Sequence, residues 1–132
     1  MNTAYSGTPL AQKLGYKRGM KLFSCGMPPS VKEQLDPDSL GMDLLPSPIA
    51  GIEAAHIFET DRAQLERKLT ALRQLLQPSG FVWASWPRQS TMVTEETVRA
   101  IALPMGFVDV ERCAVDDTWS ALKLMVRKDL RG

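Results

Sequence analysis

The feature that most constrains the fold is a leucine-striped segment between two short apolar runs. Four leucines recur at helical spacing, namely Leu65, Leu69, Leu72 and Leu76. This spacing predicts an amphipathic helix that starts after Asp61, whose side chain can cap it, and stops at Pro-Ser-Gly, residues 78–80. The flanking runs 54–58 and 81–86 are apolar on both faces, as central parallel strands require. A strand, a helix and a strand in this order predict a right-handed crossover within one parallel sheet.

Similar patterns predict the remaining elements. Thr8 and Pro9 start a short leader helix, with Thr8 as the capping hydroxyl and Pro9 at the first helical position. A polar loop over 88–93 precedes a helix that starts at Thr94. The break at residues 116–118 is short enough for a hairpin, so the last strand is predicted to be antiparallel. The other predicted elements are a strand over 20–25, a brief helix over 29–35 and strands over 107–115 and 119–126.

This order of elements predicts an α/β fold in three layers, with a mostly parallel sheet that ends in an antiparallel β-hairpin. At 132 residues the chain suits one domain over 1–132, with the leader helix within 1–19. The segment 36–52 contains Asp-Pro, Leu-Gly, Leu-Pro and Ser-Pro pairs, and we interpret it as an irregular loop. It has room for at most one poor strand, at residues 43–45.

Composition narrows the class of partner. Sixteen basic residues against fifteen acidic ones leave a net charge of +1, which argues against a sequence-independent grip on nucleic acid. No apolar run approaches the ~20 residues of a membrane-spanning helix, and no export signal is visible at the start of the sequence. Two cysteines, Cys25 and Cys113, do not suggest a disulfide framework, so we expect a reducing, cytoplasmic environment.

Three stretches of the sequence are similar to one group of proteins. They are residues 5–15 (Tyr-Ser-Gly-Thr-Pro-Leu-Ala-Gln-Lys-Leu-Gly), 83–88 (Trp-Ala-Ser-Trp-Pro-Arg) and 113–124 (Cys-Ala-Val-Asp-Asp-Thr-Trp-Ser-Ala-Leu-Lys-Leu). On these residues the chain resembles an uncharacterised family of short bacterial proteins. The resemblance implies a compact, Rossmann-like fold similar to that of S-adenosylmethionine-dependent methyltransferases, and it supplies no catalytic residues. The predicted elements of 54–126 match that architecture better than those of 20–53.

The turn after the first predicted strand differs from a cofactor-binding turn. In such folds small residues there let the backbone approach the ligand. Here the strand is followed by Gly26, Met27, Pro28 and Pro29, and the two prolines remove two N–H donors. We therefore expect no cofactor, and the predicted function is a non-catalytic binding or regulatory module. The alternative is a methyltransferase-like enzyme or small-ligand binder that uses the carboxyl edge of the sheet and holds S-adenosylmethionine differently.

In sheets of this type ligands bind beyond the carboxyl ends of the strands. The candidate ligand-binding residues at that edge are Trp86, Arg88, Asp116, Asp117 and Trp119, together with Thr8 of the leader. In one interpretation the two tryptophans form a stacking wall, and Arg88 and Asp117 anchor a small ligand. In the other, Arg88 pairs with Asp116 or Asp117 and the tryptophans fill the core. No catalytic residue and no metal ligand are predicted.

Three further side chains have chemical potential. His56 lies in the middle of a strand, which favours a structural histidine at a helix–sheet interface. Cys25 ends the first strand, where it is either a small buried residue or a thiol activated by the following helix. Ser85 has no base beside it in the sequence.

The predicted partners follow from the trimmed sheet. With few strands before residue 53, the first strand lies near an edge, and an exposed edge is a template for pairing. We therefore expect a homodimer or a protein partner. A small-molecule ligand is an open alternative, and we expect neither nucleic acid nor membrane.

Overall fold

The computed structural model describes residues 9–131. Its helices are α1 (Leu10–Leu14), α2 (Pro29–Leu35), α3 (Arg62–Leu75) and α4 (Glu95–Ala102). Its strands are β1 (Lys21–Cys25), β2 (Asp43–Leu45), β3 (Ile52–Phe58), β4 (Leu76–Pro87), β5 (Phe107–Ala114) and β6 (Trp119–Val126). Short 3₁₀ turns lie at Pro37–Leu40, Leu103–Met105 and Lys128–Leu130. Over residues 9–131, no helix has the length and apolar character that a membrane crossing requires.

The described strands form one sheet in the order β2-β1-β3-β4-β6-β5. The first four strands in this order run parallel to one another. The strand β6 lies between β4 and β5 and is antiparallel to both. The predicted α/β fold, with a mostly parallel sheet and a terminal antiparallel hairpin, is therefore confirmed.

Helices cover both faces of the sheet. The apolar stripe of α3, with Leu65, Leu69 and Leu72, packs with α4 onto one face. Helices α1 and α2 cover the other face through residues such as Leu14 and Val31. Burying each of these side chains contributes about 1.5–3 kcal/mol. The sheet thus lies between two apolar layers.

The segment 36–52 contributes a strand to the sheet. The three residues of β2 pair in parallel with β1, from Lys21 opposite Asp43 to Phe23 opposite Leu45. This strand is one edge of the sheet, and β5 is the other. The strand β1 therefore lies one position in from the edge, and the edge that the sequence predicts for pairing belongs to the short β2.

The leucine-striped helix ends earlier than the sequence predicts. The pattern places Leu76 in the helix and its stop at 78–80, but α3 ends at Leu75 and β4 begins at Leu76. Leu76 pairs instead with Ile52 of β3. Pairing with the neighbouring strand therefore outweighs helix propensity here. The register then shifts, because Ala54 pairs with Phe81, so the extra residues lie in β4.

The leader helix docks on the sheet through two polar contacts. The indole Nε1–H of Trp83 donates to the Leu14 carbonyl at 2.8 Å, and Lys13 Nζ donates to the Ala114 carbonyl at 3.0 Å. Pro9 occupies the cap position of α1 and not its first helical position, because its ψ of 145° is extended. The predicted capping residue, Thr8, lies outside the described residues.

Candidate functional site

The carboxyl edge of the sheet has two distinct ends. The β1–β3 end is the group Cys25, Gly26, Glu59 and Lys68, where β1 and β3 finish and α3 passes over them. The hairpin end is the group Arg88, Met92, Asp117, Thr118 and Trp119, where β4 finishes and β6 begins. At the β1–β3 end the charged side chains bind one another, whereas at the hairpin end they face solvent.

Gly26 packs directly against the end of β3. It has a φ of +75°, and a Cβ atom added there would lie 2.8 Å from the carbonyl oxygen of Phe58. Pro28 then continues in extended conformation, and Pro29 is the first residue of α2. The turn is therefore a tight contact between two strand ends, and the two prolines supply no N–H to it.

Glu59 is bound by groups of its own chain. One carboxylate oxygen, Oε1, accepts hydrogen bonds from the N–H groups of Thr60 (3.0 Å) and Asp61 (3.1 Å). The other, Oε2, forms an ion pair with Lys68 Nζ at 2.6 Å. The sequence alone does not indicate this cluster, because Glu59 follows β3 while Lys68 belongs to α3.

The pKa values of this ion pair reflect the mutual contact. Partial burial raises the pKa of Glu59, but the hydrogen bonds from Lys68, Thr60 and Asp61 outweigh it, so the net shift is downward. Burial likewise lowers the pKa of Lys68, while Glu59 and Cys25 together raise it above its ordinary value. Both groups are therefore charged near neutral pH.

A buried hydrogen-bond network lies behind this edge. His56 is fully buried, with Nδ1 2.8 Å from the Tyr16 hydroxyl and Nε2 2.6 Å from Ser85 Oγ. Burial lowers the pKa of His56 to about 3. Burial, and to a smaller extent the nearby Cys113, raises the pKa of Tyr16 well above its usual value. A neutral imidazole can donate at one nitrogen and accept at the other, which satisfies both hydroxyls.

This network supports the structural interpretation of His56. Ser85, which has no base beside it in the sequence, has one in the fold, because parallel pairing of β3 and β4 brings His56 next to it. Ser85 is only 1% exposed, so its hydroxyl is closed to substrates. The signal that could have found the pair is that both are polar residues inside adjacent apolar strands.

The two tryptophans do not form a stacking wall. Trp86 is buried in the cluster under α3 and α4. Trp119 packs against the cluster on the opposite face, in a T-shaped contact with Phe58 at 5.1 Å between ring centroids. The register explains this, because Trp119 lies opposite Pro87 and so shares its face, while side chains alternate along a strand.

The predicted ion pair of Arg88 is also absent. Across residues 9–131, no salt bridge joins Arg88 to Asp116 or Asp117. The Asp116 carboxylate instead accepts the N–H groups of Thr118 at 2.8 Å and Trp119 at 2.7 Å, which closes the hairpin turn. Asp116 is therefore a turn residue, while the Arg88 and Asp117 side chains face solvent.

The hairpin end is an ordered surface with exposed apolar and charged groups. The N–H of Arg88 donates to the Thr118 carbonyl at 2.7 Å, which ties the loop after β4 to the hairpin turn. Ser90 Oγ accepts the N–H groups of Met92 (3.0 Å) and Val93 (3.1 Å). Val93 is fully buried, whereas Met92 is 72% exposed. The loop is thus anchored, and it presents Met92 outward.

Comparison with known proteins relates this fold to one class. No family model and no curated protein matches the sequence. A methyltransferase from Aquifex aeolicus that depends on S-adenosylmethionine is similar in structure, with a TM-score of 0.63, 13% identity and coverage of 89% of this chain and 88% of that one. Aeropyrum pernix fibrillarin with natively bound S-adenosyl-L-methionine has a TM-score of 0.55 and 10% identity, over 89% of this chain and 69% of that one.

A third similar structure is a complex of fibrillarin with Nop5p. It has a TM-score of 0.55 and 11% identity, and the match covers 89% of this chain and 79% of that one. At these identities the likeness concerns the fold alone. The chain therefore has the α/β fold of the methyltransferases that depend on S-adenosylmethionine.

The residues of this chain do not fit the cofactor of those enzymes. Such a cofactor needs open backbone after the first strand and an acidic residue after the second, which holds the ribose. Here the position of a Cβ atom at Gly26 is already taken by the Phe58 carbonyl, and Pro28 and Pro29 lack N–H groups. The second strand, β2, ends at Leu45, and Pro-Ser-Pro follows it.

Proposed function

We propose that this protein is a non-catalytic binding module built on a trimmed methyltransferase-like scaffold, and that its partner is a protein. The observation that carries the proposal is the close turn after β1, where a Cβ atom at Gly26 would lie 2.8 Å from the Phe58 carbonyl oxygen. The polar groups next to it, Glu59 and Lys68, bind each other at 2.6 Å. Because groups of the chain itself occupy the place after β1, recognition of a partner by the protein surface is the function that the fold supports best.

The proposed contact surface is the hairpin end. Methionine, tryptophan and arginine are enriched at protein interfaces. Here Met92 is 72% exposed, Trp119 is partly exposed and Arg88 is free of ion pairs within residues 9–131. Because hydrogen bonds from the loop and turn hold this surface in place, a partner would bind it with little ordering cost. The complex of fibrillarin with Nop5p is a precedent for this fold binding a protein.

Calorimetric titration tests the non-catalytic part of the proposal. S-adenosylmethionine and S-adenosylhomocysteine, each titrated to millimolar concentration, should give no saturable heat and no shift in melting temperature. A methyltransferase with an intact glycine loop is the positive control. Saturable binding of either ligand to this chain would overturn the proposal.

The second candidate function is an enzyme or small-ligand binder that uses S-adenosylmethionine at the same edge. The observation in its favour is the shared fold, including the Aeropyrum pernix protein that binds this cofactor. It requires the ligand to sit away from Gly26, toward the hairpin end. A titration in which Arg88→Ala weakens cofactor binding would support this candidate over the first.

We propose a second copy of the chain as the first partner to test. Light scattering over micromolar concentrations should detect a dimer, and Met92→Asp should dissociate it. Ile49→Asp is the matched control, because Ile49 is also an exposed apolar residue, at 49%, but lies in the loop before β3. A monomer at every concentration would exclude the homodimer. Equal effects of the two substitutions would exclude the hairpin end as its interface.

Two finer points also remain proposals. We propose a reducing compartment such as the cytoplasm, which is consistent with the free thiols of Cys25 and Cys113. We also propose membership of the family of short bacterial proteins that the sequence resembles. Oxidative refolding that leaves both thiols free would be consistent with the first point, and a mixed disulfide on purification from the native cell would contradict it.

A further inference from the structure

We infer that two copies of this chain bind each other across a twofold axis at the hairpin end, with Arg88 of one copy paired to Asp117 of the other. This inference rests on the proposed function and names the contacts that its partner makes. Three observations carry it: two charges of opposite sign on one surface, an exposed apolar side chain beside them, and sheet edges that are poor surfaces for a second copy.

The backbone brings the two charges to one surface. The Arg88 N–H donates to the Thr118 carbonyl at 2.7 Å, so the residue after β4 lies beside the hairpin turn. The Asp116 carboxylate already closes that turn, which leaves the next carboxylate, that of Asp117, free to bind elsewhere. Both Arg88 and Asp117 are exposed, and over residues 9–131 neither takes part in a salt bridge.

A cation and an anion on one patch make that patch complementary to itself. A twofold dimer uses the same patch on both copies, and each contact between two different residues occurs twice. When the axis passes between Arg88 and Asp117, each guanidinium faces the carboxylate of the other copy. An arginine can bind a carboxylate through two parallel hydrogen bonds, which fixes the orientation of the pair. The dimer therefore uses charges for which the single chain provides no ion pair within the described residues.

Met92 supplies apolar area to the same contact. It is 72% exposed, the largest exposed fraction among the large apolar side chains of residues 9–131. Ser90 holds its backbone N–H at 3.0 Å, so the side chain projects from an ordered loop. Ion pairs at a surface contribute little affinity by themselves, but they decide which surfaces fit together. We therefore assign affinity to Met92 and the choice of partner surface to the charges.

The two edges of the sheet are poor surfaces for a second copy. The edge strand β2 has only three residues. At the other edge, a register shift between Asp109 and Glu111 interrupts β5, and the side chains of Glu111 and Arg112 are exposed. Short edge strands, bulges and charged side chains all oppose pairing between strands of different molecules. These features favour the hairpin end over edge pairing as the contact between two copies.

The test mixes two charge-reversed variants of the full chain. Arg88→Asp leaves each copy with carboxylates alone at the two positions, and Asp117→Arg leaves it with guanidinium groups alone, so each variant repels itself. Each reversal should raise the dissociation constant of the dimer at least about tenfold, measured by sedimentation velocity. A mixture of the two should form a heterodimer, because the carboxylates of one variant then face the guanidinium groups of the other. A pair within one chain cannot produce this result, since each variant keeps its own like charges.

Arg67→Asp is the matched control. It changes the net charge by the same amount as Arg88→Asp, at an exposed position of α3. The dissociation constant should stay within about twofold of the native value, because long-range effects of one exposed charge are screened by salt. Circular dichroism shows whether each variant is folded. If a reversed variant does not fold, Arg88→Glu and Asp117→Lys provide the same comparison.

Two outcomes overturn the inference while a homodimer still stands. One is a reversal at either position that leaves the native dissociation constant unchanged. The other is a pair of folded variants whose mixture forms no heterodimer. A native chain that is monomeric at every concentration overturns the inference and the homodimer together, and leaves a different protein as the proposed partner. Failure of the non-catalytic function is a separate result, namely saturable binding of S-adenosylmethionine.

Discussion

The two ends of the carboxyl edge differ in what their polar groups bind. At the β1–β3 end, Glu59 makes two backbone hydrogen bonds and one ion pair, and Gly26 touches the neighbouring strand. At the hairpin end, Arg88 and Met92 face solvent on an anchored loop. At one end of the carboxyl edge the polar groups are therefore bound by groups of the same chain, and at the other end the side chains are exposed to solvent.

This difference distinguishes two regions that fold likeness alone would treat as one edge. The chain's own groups contact one another after β1 and β3, while the exposed groups follow β4 and precede β6, the next two strands of the sheet. The proposed function places the binding surface at the hairpin end. If so, substitutions at the β1–β3 end should affect stability, and substitutions at the hairpin end should leave the fold intact.

The largest effect should come from the network behind the β1–β3 end. The pKa of His56 is about 3 in the folded chain, against an ordinary value of 6.5. Between these values only the unfolded chain binds the proton, so stability is present above pH 6.5 and is lost as the pH falls toward 3. The free energy of unfolding should decrease by about 1.4 kcal/mol for each pH unit in this range.

Urea unfolding at pH 7.0, 5.5 and 4.5 measures this dependence. The matched variant is His56→Gln, which can still hydrogen-bond Tyr16 and Ser85 but does not titrate. Over the same range, its free energy of unfolding should fall by about 1.4 kcal/mol less for each pH unit than that of the native chain. An unchanged slope in the variant would show that other groups cause the loss of stability.

The next largest effect should come from the closed turn. Gly26→Ala combines a left-handed φ of +75° with a Cβ atom 2.8 Å from a backbone oxygen. We expect a loss of about 2–3 kcal/mol in the free energy of unfolding. Gly19→Ala is the control, because its φ is +77° and no atom lies within 4 Å of the added Cβ. It should cost about 1 kcal/mol, and equal costs would mean that the turn is not tightly packed.

A smaller effect should come from the ion pair at the same end. Lys68→Met leaves the Glu59 carboxylate without its charged partner, at a side chain that is 10% exposed. We expect a loss of about 1–2 kcal/mol, with a coupling of about 1 kcal/mol in a double-mutant cycle with Glu59→Gln. Thermal and urea unfolding of the four proteins give the cycle. A coupling near zero would place this pair among the many ion pairs that contribute nothing measurable.

The smallest effect should come from the hairpin end. Arg88→Ala removes an exposed side chain that makes no ion pair within residues 9–131, so the free energy of unfolding should change by less than about 0.5 kcal/mol. Met92→Ala should behave similarly. A loss above about 1 kcal/mol at either position would show a structural contact there and would weaken the case for an open binding surface.

Much of the fold was predictable because its signals are local. The bounds of α2 and β6 match the predicted ranges, and Asp61 caps α3 by accepting the Gln64 N–H at 2.9 Å. The start of β4 was not predictable in this way. Leu76 continues the helical stripe of leucines and Pro-Ser-Gly follows at residues 78–80, so it is the pairing with β3 that makes this segment extended.

The site was less predictable, because it depends on register and on contacts between distant residues. Trp86 and Trp119 were correctly placed near one edge, but their opposite faces follow from the pairing of Pro87 with Trp119. The contact between Glu59 and Lys68 needs α3 to lie over the end of β3. Nothing in the spacing of these residues indicates that contact.

The order of helices and strands, the parallel sheet with its antiparallel hairpin, and the lack of a glycine-rich loop after β1 all follow from the sequence. Those properties depend on the period of apolar residues and on the backbone limits of proline and glycine, which act over a few residues. Which polar groups bind one another and which face solvent follows from the three-dimensional fold. That choice depends on strand register and helix packing, because a shift of one residue moves a side chain to the other face of the sheet.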